Sequence, residues 1–222
     1  MAGYWQATQT YLRELHENNS KEWFDARRAD YEAHWRAPAL AFIDALAGDM
    51  AALDPPLKAE ARLNGSLRRI NRDVRFSKDK SPYAAKLHLI FWAGGHPNRS
   101  PAMHLVIHPD GYGFGAGQFG LEPAQLKTMR ERICNPQDRA ALQDAIATAQ
   151  SVGCDFGEPD LKTLPKGFEA DEAWEHLLRR KAMVLRTQSN VSGPDWATLT
   201  EATQGFMALT RACMPLVRWL QP

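Results

Sequence analysis

The sequence predicts an α+β fold in which a central antiparallel sheet of hairpins carries helices packed on it from both ends of the chain. Apolar residues recur three and four positions apart near both termini, which is the period of helices. The middle of the chain instead alternates apolar and polar residues, which is the period of strands. With 222 residues, the chain is long enough to bury a substantial core.

The first helical region spans residues 4–53. Its apolar positions pause at a pair of asparagines, and we expect Asn19 to cap a second helix, because Glu22 stands three residues later and can reach back to the cap. A third helix follows from Pro38, since proline is tolerated in a first helical turn.

The sheet-rich core spans about residues 62–120. Residues 86–92 and 102–108 alternate in the manner of half-buried strands. The turn sequence at 109–111, Pro-Asp-Gly, leads into a glycine-rich strand and favours a hairpin. Two hairpins of this kind predict an antiparallel sheet of about four to six strands, the usual size of sheets.

The turn also predicts a register for this hairpin. With His108 opposite Tyr112, the apolar face of the second strand meets three glycines of the third. Glycines concentrated on one strand face indicate that another group approaches the backbone closely, so we expect helices on this face. The opposite face is then half aromatic and half basic, and carries Tyr112, Phe114, Lys86, His88, His104 and His108.

The remainder, residues 123–222, is predicted to be mainly helical. Residues 182–188 are apolar enough to form a further strand, and residues 194–220 predict a long final helix. Because no stretch has the composition of a linker, we expect residues 1–222 to form a single domain.

Composition narrows the class of protein. The formal net charge is only +1, which gives no global reason to expect a nucleic acid or an acidic membrane as partner. No apolar run approaches membrane-spanning length, and the N-terminus lacks the pattern of a secretory signal, so we expect a cytoplasmic protein with no membrane partner. The three cysteines have no metal-ligand spacing and are expected to be small buried side chains: Cys134, Cys154 and Cys213.

One segment departs from this neutral balance. RINRDVRFSKDKSPY, residues 69–83, is called the ribbon below; between Arg62 and Lys86 the local charge is +6. Arginine forks and lysine ammonium groups are the side chains that bind phosphate and carboxylate. Because Phe76 and Tyr83 are interleaved with these charges, we expect apolar anchors to hold the ribbon against the protein.

The ribbon also carries a family resemblance. Together with YLRELHENNSKEWFDARRADY near the N-terminus, PDGYGFGAGQF in the middle and LPKGFEADEAWEHLLRRK towards the C-terminus, it resembles the signature of domain of unknown function 2461, a family of conserved hypothetical proteins. The resemblance covers nearly the whole chain. It implies a family and no activity.

Our first hypothesis is that the ribbon binds a small anionic molecule bearing phosphate or carboxylate. Whether the protein is an enzyme is left open; in a catalytic version Asp73, Asp79 or Tyr83 takes part in the chemistry. The expected ligand-binding residues are Arg72, Arg75, Ser77, Lys78, Lys80 and Tyr83, with contributions from Arg27, His88, His104 and Tyr112.

Two alternatives stay open at this point. The ribbon can act as a non-enzymatic module that contacts nucleic-acid phosphates, with steep salt dependence. It can also be a purely structural staple of ion pairs. We expect no cofactor and no metal site: His104 and His108 are four residues apart on one strand, about 13 Å at the strand rise, too far to share an ion.

Overall fold

The computed structural model describes residues 3–187 and 196–221. The predicted helical N-terminal region is confirmed, but the predicted second helix is broken after Ala26, and a π-helical turn leads from it into the helix predicted from Pro38. The elements are α1 (Gln6–Glu17), α2 (Lys21–Ala26), α3 (Arg28–Asp30), the π-helix (Tyr31–Arg36) and α4 (Ala37–Ala51).

The cap of α2 differs from the prediction. Ser20, not Asn19, is the cap residue: its backbone is extended and its side-chain oxygen accepts a hydrogen bond from the backbone N–H of Trp23 at 3.2 Å. This is the usual geometry of a serine at a helix start. Because the side chain of Asn19 does not cap the helix, it can form a longer-range contact with the ribbon.

Within the described ranges, five strands form one antiparallel sheet in the order β1-β2-β3-β5-β4. The predicted α+β fold is therefore confirmed, as is the extra strand near residue 185. The strands are β1 (Leu87–Trp92), β2 (Ala102–His108), β3 (Gly111–Gln118), β4 (Cys154–Asp155) and β5 (Met183–Thr187).

The predicted register of the β2–β3 hairpin is wrong by one residue. His108 pairs with Gly111, not with Tyr112, because the loop contains only Pro109 and Asp110. A shift of one residue moves every side chain to the other face of a strand. Tyr112 and Phe114 consequently face the apolar side of β2, and the glycines of β3 share the histidine side.

The helices pack on the apolar face of the sheet, which is therefore the side opposite the glycines. Phe91 of β1 and Phe206 of the last helix are both fully buried, with ring centroids 5.5 Å apart. One cluster of buried apolar residues extends from Trp5 to Trp219 across the sheet and the helices. The remaining helices are α5 (Pro123–Cys134), α6 (Pro136–Gln150), α7 (Glu172–Leu178) and α8 (Leu199–Trp219).

The final helix is confirmed, with a later start than predicted. Thr198 is its cap and accepts a hydrogen bond from the backbone N–H of Glu201 at 3.2 Å. The predicted start at residues 194–195, the predicted strand end at residue 188 and the last residue, 222, lie outside the described residues. In the described ranges, no helix combines the length and apolar character that crossing a bilayer requires.

Candidate functional site

The sheet face opposite the helices carries a cleft of about 470 Å³, called the histidine cleft below. Its volume lies within the range of small-molecule sites. Strands β1, β2, β3 and β5 contribute to its walls and floor. The lining residues are Lys86, His88, His104, Val106, His108, Gly113, Phe114, Gly115, Phe119, Val184, Arg186 and Thr187.

Two glycines of β3 form the floor of the cleft. A side chain at Gly115 would meet the backbone of β5, because an ideal Cβ there lies 2.5 Å from the Leu185 carbonyl oxygen. At Gly113 the neighbours are more distant, with Thr187 Oγ1 at 3.2 Å and His108 Nε2 at 3.9 Å. Close approach of β5 requires the first glycine, whereas the surroundings of the second are less crowded.

His88 and His104 meet over this floor. They lie on neighbouring strands, and Nε2 of His88 is 2.9 Å from Nδ1 of His104, which is a hydrogen bond between the two rings. One ring must supply an N–H and the other a lone pair, so at least one ring is neutral. The sequence prediction named both residues as contributors, and the structure brings them together.

Burial keeps this pair neutral at ordinary pH. Desolvation, helped by the charge of neighbouring basic groups, lowers the pKa of His88 to about 3 and that of His104 to about 4. Arg68 is among the charges that act on both rings. Burial also lowers the pKa of His108. Strongly perturbed titratable groups in a cleft are typical of functional sites.

The charge of the cleft has one sign. Among the described residues that line it, none is acidic, while Lys86 immediately precedes β1 and Arg186 lies on β5. Asp155 is the cross-strand neighbour of Arg186 in the sheet but does not line the cleft. An anion that enters the cleft therefore meets basic side chains and histidine hydrogen-bond donors.

The ribbon lies beside β1 as an excursion of the chain with paired ends. Arg72 N–H donates to the Pro82 carbonyl oxygen at 2.9 Å, and Ala84 N–H to the Ile70 carbonyl oxygen at 2.8 Å. These bonds close the base of the ribbon and leave residues 73–81 as its tip. The ribbon residues expected to bind the anion, and both candidate catalytic aspartates, therefore lie either at the base of the ribbon or in its tip.

Arg72 binds other parts of the ribbon. Its guanidinium forms an ion pair with Asp79, donates to the Ser81 carbonyl oxygen at 3.1 Å and reaches Ser77 Oγ at 3.4 Å. Asp79 in turn accepts hydrogen bonds from the Ser81 backbone and hydroxyl, which together with Arg72 lower its pKa. The tip is therefore tied by its own side chains.

The other basic residues of the tip differ in their contacts. Arg75 forms a bidentate pair with Asp73, with the closest N–O distance at 2.7 Å, and this pairing lowers the pKa of that carboxyl. Lys80 Nζ donates to the Val74 carbonyl oxygen at 3.0 Å. Lys78 is exposed and has no ion pair within the described ranges.

The two expected apolar anchors behave differently. Phe76 is 95% exposed, so it does not hold the ribbon, and that prediction is wrong. Tyr83 is buried and stacks on Phe24, with ring centroids 4.2 Å apart. Asn19 binds both backbone groups of Tyr83, donating to its carbonyl oxygen at 2.9 Å and accepting from its N–H at 3.1 Å. The ribbon is therefore anchored at its base alone.

Two expected contributors lie away from the histidine cleft. Arg27 pairs with Asp30 at 2.9 Å and with Glu14 at 3.7 Å on the outer side of the helices. Tyr112 packs against the helical side of the sheet, with its ring centroid 5.4 Å from that of Trp196. Neither residue therefore contributes to the cleft, and the position of Tyr112 follows directly from the one-residue register shift.

Sequence reasoning placed Lys86 on the same face as the histidines without naming it as a ligand, and it missed Gly113, Gly115 and Arg186 as parts of the cleft. The available signal was the turn: a two-residue loop in place of the three-residue loop would have put the glycines and histidines on one face. The pairing of β5 with β3 depends on contacts distant in sequence, and no local pattern reports it. No group of three or more His, Cys, Asp or Glu within the described part of the chain is arranged to hold a metal ion.

The fold and the cleft define an α+β protein whose antiparallel sheet is covered by helices on one face and carries a basic, histidine-lined cleft on the other. The chain belongs to the family described as conserved hypothetical protein (DUF2461), whose model matches residues 7–219. This confirms the resemblance seen in the sequence. No curated protein and no solved structure matches the chain.

Proposed function

We propose that the protein binds a small phosphate- or carboxylate-bearing molecule in the histidine cleft. The observation that carries this proposal is the charge of the lining, in which the described residues include basic side chains and three histidines but no carboxylate. A site of uniform sign with low-dielectric walls concentrates ions of the opposite charge. The anionic ligand expected from the sequence is retained, and its location moves from the ribbon to the sheet.

Each part of the cleft has a distinct task in this proposal. Lys86 supplies positive charge at the entrance, as a mobile ammonium group suited to phosphate or carboxylate. His88 and His104 are neutral at ordinary pH, so they contribute hydrogen bonds and orientation rather than charge. Gly113 carries no side chain and presents its strand backbone to the ligand at the floor of the cleft.

The ribbon is assigned a structural role in the same proposal. Its Arg72 and Arg75 forks are occupied by Asp79 and Asp73, which supports the staple of ion pairs over an open anion site. Exposed pairs of this kind contribute little to global stability, so we expect them to order the ribbon locally. The ribbon remains the competing location for the ligand, with the exposed Lys78 among the described cations of the ribbon that form no ion pair.

Two lysines separate these locations experimentally. Isothermal titration calorimetry with inorganic phosphate, pyrophosphate and citrate is performed on the parent protein, Lys86→Ala and Lys78→Ala. Both lysines are exposed and each variant removes one positive charge, so they are matched controls. We expect Lys86→Ala to weaken binding about tenfold, the effect of one charge-assisted hydrogen bond, and Lys78→Ala to leave it unchanged.

Other outcomes favour other functions. Loss of binding in Lys78→Ala alone would place the ligand on the ribbon and overturn the proposal. Absence of binding by any of these anions, together with salt-sensitive binding of a short oligonucleotide, would support the nucleic-acid alternative. Melting temperatures of both variants, which we expect to match the parent, show that neither change acts through unfolding.

We also retain a cytoplasmic location within this proposal. Cys134, Cys154 and Cys213 are free thiols, and the last two are buried. Unpaired cysteines are typical of proteins in reducing compartments. Fractionation of cells that produce the native protein tests this part independently of ligand binding.

A further inference from the structure

A second depression of about 350 Å³ lies between α2, the π-helix and the base of the ribbon, and is called the Arg28 pocket below. It joins the two sequence blocks that characterise the chain, the N-terminal helical block and the ribbon. π-Helical turns are rare and frequently mark functional sites. The lining residues are Phe24, Asp25, Arg28, Tyr31, Glu32, Arg36, Leu63, Ile70, Asn71 and Tyr83.

Arg28 is the unpaired cation of this pocket. Its guanidinium carbon lies 5.6 Å from the ring centroid of Phe24 and 5.7 Å from that of Tyr31, so two aromatic faces position it. Within the described ranges it forms no ion pair. Arg36, in contrast, is paired with Glu32 at 2.8 Å. The fork of Arg28 is therefore oriented and available.

Asp25 is the unpaired anion of the pocket. It precedes Arg28 by three residues, lines the same space and forms no side-chain hydrogen bond or ion pair within the described ranges. Both groups lie close enough to the Tyr83 phenol to act on it: burial raises the pKa of Tyr83, the Asp25 carboxylate adds to the rise and the Arg28 guanidinium opposes it. The hydroxyl is thus a neutral hydrogen-bond donor.

The position of this hydroxyl is fixed. The two hydrogen bonds between Asn19 and Tyr83 hold the backbone of Tyr83, and stacking on Phe24 holds its ring. A binding group that is locked by packing and hydrogen bonds loses little entropy when a ligand arrives. This anchoring gives the base of the ribbon a role that its exposed tip does not have.

We infer that the Arg28 pocket binds a small molecule carrying both a carboxylate and an ammonium group, as in a free amino acid. Arg28 and the Tyr83 hydroxyl hold the carboxylate, and Asp25 holds the ammonium. Leu63 and Ile70 supply an apolar wall, which favours an apolar or aromatic ligand side chain. This inference stands apart from the proposed function, because no residue is shared between the two lining sets.

Three related molecules test the inference by calorimetry. L-phenylalanine carries both charged groups, 3-phenylpropionate lacks the ammonium, and phenethylamine lacks the carboxylate. We expect the affinity for L-phenylalanine to be at least about ten times that for either analogue, because each analogue leaves one charged side chain of the pocket without a partner. Equal binding of L-phenylalanine and 3-phenylpropionate, or no binding of L-phenylalanine at millimolar concentration, would overturn the inference.

Four variants assign the contacts. We expect Arg28→Ala to weaken L-phenylalanine binding about tenfold, while Arg27→Ala, the neighbouring arginine outside the pocket, leaves it unchanged. Asp25→Asn is expected to abolish the preference over 3-phenylpropionate. Tyr83→Phe keeps the stacked ring and the melting temperature but is expected to weaken binding severalfold. Equal losses in Arg28→Ala and Arg27→Ala would contradict the assignment.

The proposed function and the inference about the Arg28 pocket can be disproved independently of each other. If L-phenylalanine binding is lost in Lys86→Ala and retained in Arg28→Ala, the amino acid occupies the histidine cleft and the inference is wrong. If phosphate binding is absent but the Arg28 dependence is found, the proposed function is wrong and the inference stands. Phosphate titration of Arg28→Ala and L-phenylalanine titration of Lys86→Ala complete the comparison.

Discussion

His88 and His104 form a hydrogen bond between their imidazole rings, with Nε2 of His88 2.9 Å from Nδ1 of His104, on the sheet face that the helices leave uncovered. Side chains at these positions alternate with core residues along β1 and β2, so the strand period itself brings the pair to the same face. A half-buried polar pair of this kind satisfies two groups that would otherwise be costly to desolvate.

The pair makes stability depend on pH. The folded pKa values of about 3 and 4 lie below the ordinary value of 6.5, so the unfolded chain binds these protons first as the pH falls. The contribution of the neutral pair is complete above about pH 6.5 and is lost progressively towards pH 4. We expect a loss on the order of 1 kcal/mol per pH unit for each histidine.

Urea unfolding between pH 7.5 and 4.5 measures this effect. The parent is compared with the double variant His88→Gln/His104→Gln, in which the carboxylates still titrate and the two imidazoles do not. As the pH falls below 6.5, the free energy of unfolding of the parent should decrease more than that of the double variant. Parallel pH profiles would show that the pair does not titrate as described.

The glycine floor predicts opposite outcomes for two substitutions. Gly115→Ala places a methyl group against the backbone of β5, 2.5 Å from the Leu185 carbonyl oxygen, and we expect a loss of about 1–3 kcal/mol. Gly113→Ala has its nearest neighbour at 3.2 Å, the Thr187 hydroxyl, and should retain the fold while it narrows the cleft. Thermal unfolding and phosphate titration check both.

The opposite results would show that Gly113 and Gly115 do not form the floor of the cleft as described. A stable Gly115→Ala protein would mean that β5 does not approach β3 so closely. Unchanged phosphate affinity in a folded Gly113→Ala protein would mean that the ligand does not reach the floor of the cleft.

The contact between Asn19 and Tyr83 predicts a stability effect at a surface helix junction. Asn19→Ala removes two hydrogen bonds to the ribbon backbone and should cost about 1–3 kcal/mol. The side chain of the adjacent Asn18 donates to the Glu14 carbonyl oxygen at an exposed position, so Asn18→Ala should change stability by less than about 0.5 kcal/mol. Chemical unfolding of both variants is the measurement, and similar losses would contradict the anchoring role.

The ion pairs of the ribbon predict a local effect. Asp79→Ala removes the acceptor of Arg72 and of both Ser81 groups, so the tip should lose order while the melting temperature stays constant. Trypsin cleavage after Lys78 and Lys80 should become several times faster. Cleavage at the parent rate would show that these pairs do not order the tip.

Much of the architecture was predictable because it follows from local patterns. The alternation in β1 and β2 and the helical spacing near the termini each involve residues close in sequence, and the α+β fold was predicted from them. The cap at Ser20 and the loop at Pro109 and Asp110 were missed by a single residue each. In β3, that single residue exchanged the two faces of the strand and moved Tyr112, a predicted contributor to the site, away from the histidine side.

The ribbon shows a different limit. Its charge was evident from the sequence, but whether Arg72 meets a ligand or Asp79 depends on how the chain folds back over seven residues. Phe76 and Tyr83 were equivalent in the sequence, yet Tyr83 stacks on Phe24 from a distant helix, whereas Phe76 is exposed beside its neighbour Arg75. Long-range contacts of this kind determine which side chains are available to a ligand, and no local sequence pattern reports them.

The central claim is that a small anion occupies the histidine cleft, and side-chain NMR tests it most directly. In a protein with ¹⁵N-labelled histidines, phosphate or pyrophosphate titration should shift the ring nitrogens of His88, His104 and His108, while His16 and His176, which do not line the cleft, remain unchanged. Saturating anion that shifts none of the three cleft histidines would contradict the account.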